Sequence, residues 1–159
     1  MLLAVLTVSD RCAAGVATDT AGPAVVALLA RAWPDAQIQT ALVPDDAASI
    51  AAQLVAWSEQ GTALALTVGG TGLGPRDVTP EATRRVIDRE APGLAEAMRA
   101  VGAERNPYAW LSRGIAGLRG STLIVNLPGS RRGAQESLAA ILVLLRHGVH
   151  IAAGGQIHP

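Results

Sequence analysis

Ala63-Leu64-Ala65-Leu66-Thr67-Val68 runs into Gly69-Gly70-Thr71-Gly72-Leu73-Gly74-Pro75-Arg76-Asp77-Val78 and then Thr79-Pro80. Six apolar or β-branched residues in a row suit a strand buried on both faces. Thr79 is a good helix cap and Pro80 suits a first helical turn, which predicts a helix from Pro80 to about Arg89. The segment therefore reads as strand, glycine-rich loop, helix. Three glycines and a threonine directly after a strand let backbone N–H groups approach a phosphate closely. The loop fits neither common nucleotide motif. A Walker loop needs Gly-Lys-Ser/Thr where this chain has Gly74-Pro75-Arg76, and a dinucleotide fingerprint needs the helix to start within its glycines. A plain flexible turn is the alternative, against which the density of special residues argues.

The same alternation extends in both directions. Leu2 to Val8 reads as a first strand and is followed by a polar loop. Asp19 or Thr20 can cap a helix through Val25, Val26, Leu28 and Leu29 to about Ala32. Gln37 to Val43 reads as a second strand, after which Pro44-Asp45-Asp46 caps a helix through Ile50, Leu54 and Trp57 that Gly61 ends. Another helix starts after Pro92-Gly93. Asn106 to Gly120 is ambiguous, a short helical piece and a turn at Gly117 to Gly120. Thr122 to Asn126 is a further strand, followed by Leu127-Pro128-Gly129-Ser130 and a helix from about Arg132 to Arg146. Strands alternating with helices imply an α/β fold with a mostly parallel sheet covered on both faces. Ligands of such sheets lie beyond the carboxyl ends of the strands, where four loops fall: Ser9 to Asp19, Pro44 to Asp46, Gly69 to Asp77 and Leu127 to Arg131. With no internal repeat or linker, residues 1–159 read as one domain.

Composition narrows the function classes. Thirteen acidic residues balance thirteen basic ones, which excludes a general affinity for nucleic acid. Every basic residue is Arg, which excludes a P-loop lysine or a lysine Schiff base. The longest strongly apolar run, Leu138 to Leu145, is far short of the roughly 20 residues that span a membrane. Met1 to Val8 lacks a basic flank and reads as a strand rather than a signal peptide. A single cysteine, Cys12, allows no internal disulfide and no metal-binding Cys pair, which suits a reducing cytoplasm. Hydrophobic residues make up 50% of the chain and charged residues 16%, so either the core is large or part of the surface is buried against another subunit.

Among the chemistry-bearing residues, Asp77 is either a helix-terminus charge or a Mg²⁺ ligand in a phosphate site. Asp45 is either a helix cap or a second metal-facing carboxylate, with Asp46 available for the capping duty. Ser130 closes a second strand-to-helix turn and can bond an anion at a helix N-terminus, or simply cap. Arg11, Arg76, Arg113 and Arg131 fall near these loops without a firm assignment between phosphate contact and surface. His147 and His150, with His158 in the tail, read as helix-end cations rather than a metal site. Cys12 reads as a passenger, and Trp33, Trp57 and Trp110 as packing residues.

At these residues the chain resembles the MogA/MoaB-type molybdopterin-binding family, which includes the molybdopterin adenylyltransferases and similar domains of fusion proteins such as gephyrin. The resemblance covers nearly the whole sequence. It is carried by Leu6-Thr7-Val8-Ser9-Asp10, Asp19 with Gly22-Pro23, Pro44-Asp45, the block from Gly69 to Thr83, Pro92-Gly93, Leu111-Ser112-Arg113 and Asn126-Leu127-Pro128-Gly129. It implies a three-layer α/β sandwich, a homotrimer, contact with other molybdenum-cofactor enzymes, and transfer of AMP from Mg²⁺-bound ATP to molybdopterin with release of pyrophosphate. The family's functional aspartates fall on Asp45 and Asp77, which would also hold Mg²⁺. Ser9, the loop Gly69, Gly70, Thr71 and Gly72, Ser112, and Pro128, Gly129 and Ser130 would contact pterin or phosphate. Pro75-Arg76-Asp77 is spelled more as in the adenylyltransferase branch than in the MoaB branch. The rival expectations are a MoaB-like protein that binds molybdopterin without adenylating it, and a generic nucleotide-binding α/β domain.

Overall fold

The computed structural model describes residues 1–156; His158 lies outside them. Six strands form one sheet: β1 (Leu2–Val8), β2 (Gln37–Val43), β3 (Leu64–Val68), β4 (Arg89–Glu90), β5 (Ala116–Arg119) and β6 (Thr122–Leu127). Their order is β2-β1-β3-β6-β5-β4. The first four are mutually parallel, and β5 runs antiparallel to both β6 and β4. Six helices accompany them: α1 (Asp10–Ala13), α2 (Ala21–Ala32), α3 (Ala47–Glu59), α4 (Thr79–Val86), α5 (Pro92–Ala103) and α6 (Arg131–Ala152), with a 3-10 turn at Pro107–Leu111.

The two-residue period of the strands builds three layers. Leu3, Val5, Leu64, Leu66, Leu123 and Val125 pack with Val25, Leu29, Ala95, Met98, Leu138 and Ile141 of α2, α5 and α6. Ala4, Leu6, Ala65 and Ile124 face the other way and meet Ile50, Leu54 and Trp57 of α3 and Ala82 and Val86 of α4. The doubly covered sheet is the mostly parallel α/β sandwich that the alternation of elements predicts. One polar group interrupts the second core: the buried Asn126 donates from Nδ2 to Thr67 Oγ1 at 3.0 Å and to Thr83 Oγ1 at 2.9 Å. These bonds satisfy a buried amide and fix α4 beneath the sheet's carboxyl edge.

Several local expectations are corrected. The polar loop after β1 contains the helical turn α1, which Ser9 caps by accepting from Cys12 N. Asp19, rather than Thr20, closes the N-terminus of α2, its Oδ1 accepting from the N–H groups of Ala21 and Gly22. Thr79 makes no capping bond, and α4 stops at Val86, three residues before the expected end. The cause is the sheet: Asp88 N donates to Leu118 O and Ala91 N to Ala116 O, which draws the chain into β4. The ambiguous stretch contains strand β5, and the turn falls at Gly120, whose φ of 56° lies in the left-handed region. Helix α6 runs six residues past Arg146 because Leu145 and Val149 continue its buried stripe. Trp57 is buried, but Trp110 is 60% exposed and is not a packing residue.

Candidate functional site

The four expected loops converge beyond the carboxyl ends of β1, β2, β3 and β6. Parallel pairing sets Val8 beside Val43, and the next residues exchange bonds. Ser9 N donates to Val43 O at 3.0 Å. Asp10 N donates to Asp45 Oδ2 at 2.8 Å and Asp45 N to Asp10 Oδ1 at 2.9 Å. Asp46, not Asp45, caps α3, accepting from Ser49 N at 2.8 Å. Asp45 is thereby released from capping and its carboxylate faces the site. Arg76 reaches back from the glycine-rich loop to form a two-pronged pair with the Asp10 carboxylate. The Asp45 amide first, and the Arg76 guanidinium second, hold Asp10 below the usual carboxylate range.

The Gly69–Asp77 loop needs its glycines for different reasons. Gly69 and Gly70 have φ of 113° and 63°, where other residues are strained. A Cβ at Gly69 would overlap Val8 O, and one at Gly70 would overlap Thr79 Oγ1 and approach Asp45 Oδ1 to 3.0 Å. Gly72 has no positive φ; a Cβ there would sit 2.9 Å from Asp77 Oδ2. Asp77 does not cap α4. Its Oδ2 accepts from Gly74 N at 2.9 Å, so the carboxylate closes its own loop.

Two cavities meet on this floor. The larger, about 520 Å³, lies between the glycine-rich loop, α5, the 3-10 turn and the start of α6, and its walls include Gly70, Thr71, Gly72, Asp77, Ser112, Pro128, Gly129 and Ser130. The smaller, about 250 Å³, is lined by Ser9, Cys12, Asp19, Asp45, Gly69, Gly70, Asp77 and Gly129. They share Gly70, Asp77 and Gly129. Every residue expected at the site thus lines one cavity or both. The hydroxyls of Ser9 and Ser130 also accept helix-capping bonds, from Cys12 N and Gly133 N.

Sequence reasoning missed the far wall of the larger cavity, where Met98, Arg99, Tyr108 and Leu111 stand. Arg99 Nη1 donates to Ser112 O and Gly114 O, tying the Ser112 segment to α5. Only packing of α5 against the sheet reveals this. Of the four arginines left unassigned, Arg113 and Arg76 bind protein groups, and Arg11 and Arg131 are exposed. The Arg113 bond holds the Glu81 carboxyl low.

The smaller cavity is lined by three carboxylates and by hydroxyls, all hard oxygen apart from Cys12; Asp19 is taken up by the Thr7 hydroxyl and the amides of Ala21 and Gly22, which leaves Asp45 and Asp77. Among the described residues no three His, Cys, Asp or Glu side chains are arranged to hold a metal ion by themselves. Such a set fits Mg²⁺, which keeps several waters and binds through one or two carboxylates together with substrate phosphates.

Residues 4–147 match the family model described as a probable molybdopterin binding domain. The chain is 43% identical to the molybdopterin adenylyltransferase of Haemophilus influenzae over 141 residues, covering 87% of this chain and 72% of that protein. It is 40% identical to the molybdenum cofactor synthesis protein cinnamon of Drosophila melanogaster, covering 92% of this chain but 25% of that much longer protein. Among solved structures, the molybdopterin biosynthesis enzyme MoaB from Thermus thermophilus superposes with a TM-score of 0.87 at 47% identity, over 96% of each chain. With the family match spanning nearly all of the sheet and both cavities, the chain belongs to the molybdopterin-binding domain family.

Proposed function

We propose that residues 1–159 form one domain that acts in molybdenum-cofactor biosynthesis, transferring AMP from Mg²⁺-bound ATP to molybdopterin. The observation that carries this reading is the pair of cavities sharing Gly70, Asp77 and Gly129, with Asp45 and Asp77 in the smaller one. Two phosphorylated ligands entering from the two sides bring their phosphates together at the shared floor. A terminal phosphate oxygen of molybdopterin attacks the α-phosphorus of ATP; the new P–O bond forms as the bond to the β-phosphate oxygen breaks and pyrophosphate leaves. The nucleophile is already anionic, so the protein positions it and neutralises charge rather than removing a proton. Asp45 and Asp77 would hold the metal, which neutralises charge on the triphosphate when bound. The amides of the Gly69–Gly72 loop and the N-terminus of α6 at Ser130 supply further positive ends of dipoles.

The proposal extends to a homotrimer. Val143 and Leu144, 80% and 48% exposed on α6, are apolar surface suited to a subunit contact. Contact with other molybdenum-cofactor enzymes and a cytoplasmic location belong to the same reading, consistent with the absence, among the described residues, of a helix long and apolar enough to cross a membrane. A second reading, molybdopterin binding without adenylation, is favoured by the 47% identity to the Thermus MoaB structure. Incubating the protein with molybdopterin, ATP and Mg²⁺ separates the two. Adenylated molybdopterin and pyrophosphate are the expected products; tight molybdopterin binding without either product supports the second reading.

A further inference from the structure

Arg113 stands behind the Gly69–Asp77 loop and lines neither of the two cavities, although its neighbour Ser112 lines the larger. Its backbone N–H donates to Thr71 O at 2.9 Å. Its guanidinium donates from Nε to Gly72 O at 2.7 Å and from Nη2 to Asp77 O at 2.5 Å. Both terminal nitrogens face the Glu81 carboxylate of α4. The donors of the fork are turned inward onto protein acceptors, which leaves this arginine unsuited to gripping a substrate phosphate.

The consequence follows from peptide geometry. A trans peptide points its carbonyl and the next residue's N–H to opposite sides, and the described chain has no cis bond. With Thr71 O and Gly72 O held by Arg113, the amides of Gly72 and Leu73 are turned away from it, and both residues line the larger cavity. Asp77 is pinned twice, by Gly74 N on its carboxylate and by Arg113 on its carbonyl. Lysine cannot replace this fork, because an ammonium on a flexible stem does not present a planar set of donors to two carbonyls and a carboxylate together.

We infer that Arg113, with Glu81 as its counter-ion, is a positioning residue for adenylyl transfer: it sets the shape of the Gly69–Asp77 loop so that the Gly72 and Leu73 amides and the Asp77 carboxylate meet the substrates. The inference rests on the adenylyltransferase reading.

The experiment compares wild-type protein with Arg113→Lys, Arg113→Ala and Glu81→Gln in steady-state adenylation, thermal melts and backbone amide hydrogen exchange. For Arg113→Lys, kcat falls on the order of 10²-fold, the scale of misplacing reacting groups by about 1 Å, while the KM for molybdopterin changes less than about threefold. Glu81→Gln loses less, on the order of tenfold, because the bonds to Gly72 O and Asp77 O persist. Added guanidinium ion restores part of the Arg113→Ala activity. Exchange of the hydrogen-bonded Gly74, Asp77 and Thr79 amides speeds in Arg113→Lys while that of Leu66 and Ile124 in the core strands does not. Near wild-type kcat in Arg113→Lys, or a loss that merely tracks the fraction unfolded, overturns the inference. Wild-type protein that makes no product overturns the adenylyltransferase reading instead, and unchanged loop exchange in Arg113→Lys then overturns the loop-holding role on its own.

Discussion

Asp45 and Asp77 line the same small cavity but are held there by different means. Asp45 lies two residues past β2, and its partner Asp10 two residues past β1. Because Val8 and Val43 are already paired in register, the two strand ends deliver both aspartates side by side, and reciprocal backbone-to-carboxylate bonds complete the arrangement. Asp77 lies nine residues past Val68 with no strand beneath it, so side chains hold its loop: Arg113, Glu81 and its own carboxylate. A carboxylate close to a paired strand end inherits its position from the sheet. One far from any strand depends on contacts distant in sequence, and such contacts are the easier to break.

The largest expected effect tests what the two aspartates share. Asp45→Asn and Asp77→Asn each keep the side chain's shape and its ability to accept the observed backbone bond, and each removes a charge. Adenylation at saturating substrates should fall on the order of 10²-fold or more for both, the scale of losing an electrostatic group used in the transition state. Molybdopterin binding and the thermal melt should stay near wild type. Turnover unaffected by Asp77→Asn would reduce that carboxylate to a loop-closing group and leave Asp45 as the one proposed metal ligand.

Gly70 touches both regions, and its replacement measures how tightly they are joined. In Gly70→Ala the new methyl meets Thr79 Oγ1 and Asp45 Oδ1 at a φ of 63°. Gly61→Ala, with φ of 78° and nothing within 4 Å, is its control. Chemical denaturation should show the control losing about 1–2 kcal/mol, the left-handed backbone penalty, and Gly70→Ala losing more, with reduced turnover. Equal losses in the two variants would show that Asp45 yields to the methyl without consequence.

Acid should loosen the Asp77 side through Glu81. That carboxyl titrates below its ordinary value, chiefly because of its bond to Arg113. A group depressed in the folded state stabilises it above the unfolded pKa, and that contribution disappears as pH falls through the folded pKa. Thermal melts taken from about pH 6 to pH 3 should therefore decline less steeply on the acid side in Glu81→Gln than in wild type. Identical slopes would mean that the pair adds no stability, though it can still set geometry.

The same contrast governs what could be read from the sequence. Strands β1 and β2 were legible to the residue: β1 is an apolar run that ends at the polar Ser9-Asp10, and β2, although it carries Gln37, Gln39 and Thr40, is bounded by Pro34-Asp35 before it and Pro44 after it. The convergence of Ser9, Asp45, Gly69–Gly72, Asp77 and Pro128–Ser130 followed from strand-loop-helix alternation and the resemblance together. Local residues also held both answers for Asp45 and Asp46, and the bond from Ser49 N is what assigns capping to Asp46. Strand β5 was not legible, because Ala116–Arg119 is four residues with a glycine inside and becomes a strand by pairing with β6. Arg113 stood out in the sequence only by its place near the loops and in Leu111-Ser112-Arg113, with no role legible, because its acceptors Gly72 O and Asp77 O are 41 and 36 residues away.

The smallest expected effect concerns Arg76, and it tests the comparison most directly. Its pair with Asp10 looks like the counterpart of the Arg113–Glu81 pair, but Arg76 is 68% exposed against 34% for Arg113 and, among the described residues, binds no backbone carbonyl beside its carboxylate. Exposed pairs of this kind contribute little because water screens them and two side chains must be immobilised. Asp10 also keeps its bond from the Asp45 amide when Arg76 is gone. Arg76→Ala should therefore leave the melting temperature unchanged and lower adenylation by less than about threefold. Any loss should shrink as added salt screens the wild-type pair at the distances the Debye length allows. Turnover of wild type and Arg76→Ala measured across a salt series checks this, with Asp45→Asn alongside for scale. A loss as large as that of Asp45→Asn would mean that the ion pair, and not the register of β1 and β2, holds Asp45, and the distinction between the two aspartates would collapse.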